Sequence, residues 1–145
     1  MGYTHYWYRG KVIPIEQMDA IVADLKIVLG NIVSTGVAVA GWNGEGEPII
    51  NNKEVRFNGS TKENQDHETF SFPQVLEPAY EGHQPVGKVA YREIGGKEVL
   101  NKKNMVGKWF EFCKTAGKHY DVAVTAFLVI AKHYLGDAIV IRSDG

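Results

Sequence analysis

Cationic residues cluster at the two places where a predicted strand gives way to a predicted helix. Arg9 and Lys11 follow the first strand, and Lys114 and Lys118, with Thr115 between them, follow a later one. Arginine offers a forked pair of N–H donors that fits a phosphate, and lysine adds a point charge. Helix N-termini add N–H donors and a partial positive charge. The first junction (residues 9–11) and the second junction (residues 114–118) are therefore typical of anion-binding sites.

Aromatic residues near both junctions suit stacking on a base or hydrogen bonding to a ribose. Because side chains alternate along a strand, His5, Trp7 and Arg9 share one face, and we assign that face to the ligand. The predicted ligand-binding residues are His5, Trp7, Tyr8, Arg9, Lys11, Glu68, Phe70, Lys114, Thr115, Lys118, Tyr120 and Asp121. The alternative interpretation is that these are solvated turn charges beside core aromatics, since surface lysine and arginine are common.

Glu68 allows two interpretations. With Lys114 it forms either an ion pair between neighbouring strands or a carboxylate that binds a ligand amine or ribose hydroxyl. Residues 67–69 also match the His-x-Thr motif of two-histidine phosphoesterases, but no other histidine is followed by Thr or Ser at that spacing. A chance match in a strand is therefore favoured.

The sequence predicts no catalytic constellation, metal site or cofactor. Its five histidines and one cysteine have no compact metal-ligand spacing. Cys113 alternates with apolar neighbours and is interpreted as a small buried hydrophobe. No phosphate-binding loop of the Gly-x-x-x-x-Gly-Lys type is found.

Hydrophobic periodicity predicts two strand–helix–strand halves around an irregular middle. The first half has strands at residues 2–9 and 37–42 around an amphipathic helix at about 14–33. The second has strands at 109–114 and 138–142 around an apolar helix at 121–135. Strands are also predicted at 54–58, 67–72 and 86–91.

This order predicts an α+β fold, a two-layer sandwich with two helices on one face of a mainly antiparallel sheet. The specific expectation is a ferredoxin-like β-α-β…β-α-β arrangement with extra strands. In that arrangement the two strands that lead into the helices are parallel neighbours. Both junctions would then meet at one edge of the sheet.

Composition limits the function classes. The 145 residues suit a single domain, 1–145, on a prior of about 100–200 residues per domain. The formal net charge of -1 argues against general nucleic-acid binding. The sequence has a single cysteine, and it shows neither an apolar signal segment nor a run of ~18–20 apolar residues. We therefore expect a cytoplasmic protein that does not contact membranes. Aromatic strand surface predicts a homodimer or larger homo-oligomer.

Several long motifs carry a family resemblance. They are MGYTHYWYR at residues 1–9, ETFSFP at 68–73, VLEP at 75–78, FCKTA at 112–116 and YDVAVTAFL at 120–128. The chain resembles, over nearly its whole length, a family of small uncharacterised proteins from phage and prokaryotic genomes. It departs from the family pattern at His119, where a proline is expected before Tyr120. The resemblance implies membership of this family and a phage origin, in which case the expected location is the host cytoplasm. It implies no chemistry.

Three function classes follow. The favoured one is a non-catalytic binding protein for a small anionic, nucleotide-like ligand. By analogy with other small phage proteins it would sequester a host immune signal such as a cyclic nucleotide or an ADP-ribose derivative. The second is a small phosphodiesterase or hydrolase with His67, Glu68 or Asp121 as acid–base groups. The third is a protein–protein interaction module that uses the aromatic strand.

Overall fold

In the part of the chain that the structure describes, two α-helices form one layer. The computed structural model describes residues 3–87 and 105–144. Helix α1 spans Ile15–Val33 and helix α2 spans Asp121–Leu135. In α1 the apolar side chains recur every three or four residues, so one stripe that includes Met18, Ile21 and Leu25 is buried. Ala123, Val124 and Phe127 are among the buried residues of α2, and the two helices pack against each other.

The seven strands found among the described residues form the second layer as two sheets. They are β1 (Thr4–Arg9), β2 (Val39–Ala40), β3 (Ile49–Ile50), β4 (Glu54–Gly59), β5 (Phe70–Pro73), β6 (Trp109–Lys114) and β7 (Ile139–Asp144). In the first sheet β1 is central, and β6 and β7 pair with it on either side, both antiparallel. In the second sheet β4 pairs antiparallel with β2, β3 and β5.

An aromatic cluster joins the two sheets to α2. The ring of Phe70 lies 5.3 Å from that of Trp7, 5.2 Å from that of Phe57 and 5.0 Å from that of Phe127, measured between centroids. Phe72 contacts Phe127 at 4.8 Å. Aromatic pairs at these distances add to the free energy of burying their surface. The core therefore lies between the helices and the inner faces of both sheets.

The α+β sandwich predicted from the sequence is confirmed, but the predicted parallel pairing of the strands that lead into the helices is wrong. β1 and β6 are antiparallel, with Thr4 opposite Lys114 and Arg9 opposite Trp109. At about 3.3 Å per residue, the ends of the two strands are then roughly 17 Å apart. The first and second junctions therefore lie at opposite ends of the strand pair, which the ferredoxin-like arrangement did not predict.

The observed boundaries of helices and strands agree best with the predicted ones where the hydrophobic periodicity of the sequence is strong. α2 and β6 match their predicted ranges, whereas the strand predicted at 37–42 pairs only at Val39–Ala40. Of the strand predicted at 86–91, Val86 forms a single bridge with Val106, and residues 88–91 lie outside the described residues. Within residues 3–87 and 105–144, no helix has both the length and the apolar character needed to cross a bilayer.

Candidate functional site

Arg9 is a structural residue, so its assignment to a ligand is wrong. Its side chain is fully buried, and its guanidinium donates to four backbone carbonyls. The acceptors are Gly10 O at 3.0 Å, Pro73 O at 2.5 Å, Gln74 O at 3.2 Å and Lys11 O at 3.3 Å. The guanidinium also lies 4.3 Å from the centroid of the Phe72 ring. Burial lowers the pKa of Arg9 to about 10. Its donors join residues 10 and 11, which precede α1, to the end of β5.

The shared face of His5, Trp7 and Arg9 is present, but it is the core-facing side of β1. Trp7 and Phe70, both predicted to bind ligand, are buried in the aromatic core. The half-buried Tyr8 lies on the opposite face, with its ring 5.1 Å from that of Phe110. Lys11 is exposed, with its ammonium 6.0 Å from the Trp109 ring. The first junction therefore forms no cationic pocket with the second.

Three of the predicted residues do come together where β6 leads into α2. His5 Nε2 lies 2.7 Å from Asp121 Oδ1, and the Thr115 hydroxyl donates to the same oxygen at 2.5 Å. On the other side of the ring, His5 Nδ1 lies 2.7 Å from Ser143 Oγ. His5 and Thr115 are buried, the Asp121 side chain is 21% exposed, and Ser143 is exposed. A buried imidazole thus connects a carboxylate to a hydroxyl that solvent reaches.

Local sequence explains why Asp121 holds this position. Asp121 is the first residue of α2, where a carboxylate is stabilised by the partial positive charge of the helix N-terminus. The register between β1 and β7 places Ser143 directly opposite His5. The two sides of the imidazole are therefore occupied by groups from a helix and from a neighbouring strand.

Glu68 and Lys114 also meet, but not as the predicted ion pair. Glu68 Oε1 accepts a hydrogen bond from the backbone N–H of Lys114 at 2.8 Å. The hydroxyl of the buried Tyr120 donates to Glu68 O at 2.5 Å. Burial, reinforced by the negative charge of Glu68, raises the pKa of the neighbouring Cys113 thiol to about 12. These hydrogen bonds hold the second junction against Glu68. Because the pKa of Cys113 is raised, its thiol is not a reactive thiolate.

The start of α2 does not offer the free N–H donors that an anion site requires. The N–H groups of Asp121, Val122 and Ala123 donate to the carbonyls of residues 118, 119 and 120 at 2.9, 3.3 and 2.9 Å. The Lys118 ammonium donates to Asn64 O at 3.3 Å. The single anion pocket on which the nucleotide-binding prediction depended is therefore not formed by the described residues, and nucleotide binding stays a prediction.

A largely apolar cavity of about 460 Å³ lies beside the His5 network. Leu128 and Val129 of α2 and Val140 and Ile141 of β7 form much of its wall, and His5 and Ser143 also line it. Lys132 lies on the same wall and donates to Gly136 O at 3.0 Å and Ile139 O at 2.9 Å. The cavity places an apolar binding volume next to the exposed serine hydroxyl.

Ser143 is the member of this hydrogen-bonded network that the sequence did not indicate. It is separated from His5 by 138 positions, so no local spacing connects them. The sequence signal would have been the pairing of the first and last strands, which places the two residues opposite each other. Among the described residues His67 has no such side-chain partners, and its backbone N–H and carbonyl are both hydrogen-bonded to Asn58. Among residues 3–87 and 105–144 no group of three or more His, Cys, Asp or Glu is placed to hold a metal.

Comparison of the chain with protein-family models, curated proteins and solved structures found no match. The function of the protein is therefore inferred from the geometry of the described residues.

Proposed function

We propose that the protein is a serine hydrolase that cleaves esters of apolar carboxylic acids, with Ser143 as nucleophile, His5 as general base and Asp121 as the group that orients the base. The observation that carries this proposal is the pair of 2.7 Å contacts on the two nitrogens of His5, to Ser143 Oγ and Asp121 Oδ1. A nucleophile, a base and a carboxylate in hydrogen-bonded sequence are the signature of nucleophilic catalysis.

The hydrogen-bond partners support the required tautomer of His5. An ionised carboxylate only accepts hydrogen bonds, so Asp121 favours a proton on His5 Nε2. The lone pair on Nδ1 is then free to accept the proton of the Ser143 hydroxyl. In the familiar serine hydrolase arrangement the two ring nitrogens have the opposite assignments, but the chemical roles are the same. Thr115 donates to Asp121 and holds its carboxylate in place.

The proposed reaction proceeds in two stages. Ser143 Oγ attacks the ester carbonyl carbon while its proton moves to His5 Nδ1, and the imidazolium then protonates the departing alcohol. The acyl group is left as an ester on Ser143. Water, deprotonated by His5, attacks that ester, and the carboxylic acid leaves as the proton returns to Ser143 Oγ. Asp121 stabilises the positive charge that forms on the imidazole in both stages.

The cavity supports the choice of substrate. Its wall is mainly Leu128, Val129, Val140 and Ile141, which suits an apolar acyl chain and not a phosphate. The exposed position of Ser143 allows the substrate to approach from solvent.

The test is hydrolysis of p-nitrophenyl acetate, butyrate and octanoate by the purified protein. We expect kcat/KM to rise with chain length, since each added methylene in an apolar cavity contributes about 0.8 kcal/mol. A fluorophosphonate probe should label the protein, and mass spectrometry should locate the label on the peptide that contains Ser143. Ser143→Ala should abolish both the labelling and the hydrolysis.

The matched control is Ser34→Ala. Ser34 is also exposed, but its hydroxyl donates only to Asn31 O at the end of α1. It should retain full labelling and full hydrolysis. The proposed function would be contradicted if the probe did not label the wild-type protein, or if it still labelled Ser143→Ala.

A further inference from the structure

A second cavity, of about 360 Å³, shares no lining residue with the cavity at Ser143. It is bounded by residues of β1 and β6 on one side and by the strand pair β4–β5 and residues 75–79 on the other. Its volume falls in the range of small-molecule sites, which is about 300–1,000 Å³.

The indole of Trp7 provides an unused hydrogen-bond donor at this cavity. Trp7 is 1% exposed and lines the cavity. Among the described residues, its Nε1 is the one buried side-chain nitrogen or oxygen that has no hydrogen-bond partner. Buried polar groups are almost always paired, and an indole N–H can only donate. A ligand that pairs with it would present an acceptor, such as a carbonyl oxygen.

The charges around the cavity favour a cation. Three carboxylates, those of Glu54, Glu77 and Glu111, face one guanidinium, that of Arg56. Arg56 is already paired with Glu54 at 3.0 Å. Glu77 and Glu111 have no hydrogen bond or ion pair with any other described residue, although the charge of Arg9 acts on Glu111. The described lining thus carries more carboxylates than cations, which favours a ligand ammonium.

Glu111 is the better placed of these two carboxylates. In the register between β1 and β6 it lies directly opposite Trp7, so its side chain and the indole leave the sheet on the same face. Burial raises the pKa of Glu111, with the charges of His83 and Arg9 acting in the opposite direction. A bound cation next to Glu111 would favour its ionised form.

Apolar side chains complete the cavity. Pro73, Val75, Leu76 and Phe112 line it beside the polar groups. They offer contact area to one aliphatic side chain of a ligand.

We propose that this cavity binds an α-amino amide: an ammonium group at Glu111, the adjacent carbonyl oxygen at Trp7 Nε1, and an aliphatic side chain against Pro73, Val75 and Leu76. Free amino-acid amides and the N-terminal residue of a peptide share this chemistry. The site is independent of the proposed hydrolase activity, because it uses none of the residues at Ser143.

The test is titration of the ¹⁵N-labelled protein with L-leucinamide, followed by the indole N–H resonances in NMR. Trp42→Phe and Trp109→Phe variants assign the Trp7 resonance by elimination. We expect that resonance to shift with saturation while those of Trp42 and Trp109 stay in place. N-acetyl-leucinamide lacks the charge and isopentylamine lacks the carbonyl, and each should bind at least about tenfold more weakly.

Two glutamate variants sharpen the test. Glu111→Gln should weaken leucinamide binding about 10- to 100-fold, because a hydrogen bond between two charges is replaced by one to a neutral amide. Glu81→Gln is the control, since Glu81 is exposed and does not line the cavity. It should bind as wild type does.

A peptide probe separates the two sources of the ligand. Leu-Gly-Gly that binds more tightly than leucinamide would support recognition of a peptide N-terminus, and weaker binding would support a free amino-acid amide. The proposal would be overturned if the Trp7 resonance did not move at about 10 mM leucinamide, a concentration well above the Kd of a specific small-molecule site. Equal affinity for N-acetyl-leucinamide would also overturn it. These readouts use the wild-type protein, so they do not depend on a Trp7 variant that folds.

Discussion

Ser143 and His5 are direct partners in the register between β7 and β1, and a 2.7 Å hydrogen bond joins their side chains. Because the two strands hold this pair, the distance between hydroxyl and imidazole is set by backbone hydrogen bonds and not by a mobile loop. Sites supported by regular elements keep their geometry more accurately than sites on loops. Asp121 completes the arrangement from the start of α2.

Asp121→Asn tests the orienting role of the carboxylate. The amide can donate to His5 and so favours the tautomer with the proton on Nδ1, where it blocks proton transfer from Ser143. We expect kcat for p-nitrophenyl butyrate to fall about 10²- to 10⁴-fold, with KM little changed. Stability should fall by about 1–3 kcal/mol, because two hydrogen bonds to a charged group are weakened.

The control for that substitution is Asp137→Asn in the exposed turn after α2. Urea unfolding and initial-rate kinetics should leave this control within experimental error of wild type. A fully active Asp121→Asn variant would remove Asp121 from the mechanism.

Arg9→Met tests whether the buried guanidinium holds the fold together. The substitution preserves most of the side-chain volume but leaves the carbonyls of Gly10, Lys11, Pro73 and Gln74 without their donors. We expect the free energy of unfolding to drop by about 3–5 kcal/mol, measured by urea denaturation. Lys11→Met, at an exposed position, should change it by less than about 0.5 kcal/mol. A similar loss for both variants would contradict the structural role.

Cys113 should be unreactive in the folded protein. Its pKa is raised to about 12, first by burial and then by the charge of Glu68, so almost no thiolate exists at pH 8. We expect the disulfide reagent DTNB to react with the folded protein at least about 100-fold more slowly than with protein unfolded in about 6 M guanidinium. Rapid reaction at pH 8 without denaturant would show that the thiol is accessible.

The same thiol makes a pH-dependent contribution to stability. A folded-state pKa above the unfolded value of about 8.5 means that the unfolded chain releases its proton first. The stabilising contribution is therefore fully present below about pH 8.5 and is lost as the pH rises towards 12. Cys113→Ser preserves the shape but not the thiol pKa. Its free energy of unfolding should decline less steeply between pH 8.5 and about 10.5, in urea titrations at each pH.

Glu111→Gln should stabilise the protein at neutral pH. Burial raises the folded-state pKa of Glu111, so its contribution to stability is present below the unfolded value and is lost as the pH rises through the folded one. The glutamine variant carries no charge to desolvate. It should be more stable at pH 7 by about 0.5 kcal/mol, a small effect because solvent screens a partly exposed group.

The difference should disappear below about pH 4, where wild-type Glu111 is protonated in both states. Thermal unfolding at pH 3.5 and pH 7 measures both values. A variant that is less stable at pH 7 would indicate that the carboxylate makes a favourable ionic contact.

Local patterns were sufficient to predict α2 and β6. An apolar run that ends at Gly136 indicated the helix, and the alternation of residues 109–114 indicated the strand. The direction of pairing between β1 and β6 was not predictable from such patterns. It depends on contacts between residues more than 100 positions apart, such as Thr4 and Lys114.

The site was only partly predictable for the same reason. His5, Thr115 and Asp121 stood out by residue type near a helix start, whereas Ser143 is an ordinary strand residue until its partner strand is known. Arg9 was misassigned because buried arginine is rare. Its burial is stabilised by carbonyls from residues 10, 11, 73 and 74, and no periodicity in the sequence connects these residues.

The central position of β1 has a consequence for biosynthesis. A ribosome makes β1 before either of its neighbours, β6 and β7, and the last residues of β7 follow it by some 140 positions. Until those residues emerge, both edges of β1 lack their partners, and its aromatic side chains are open to other nascent chains. The first sheet, and with it the proposed nucleophile, can therefore form only after synthesis has passed residue 143.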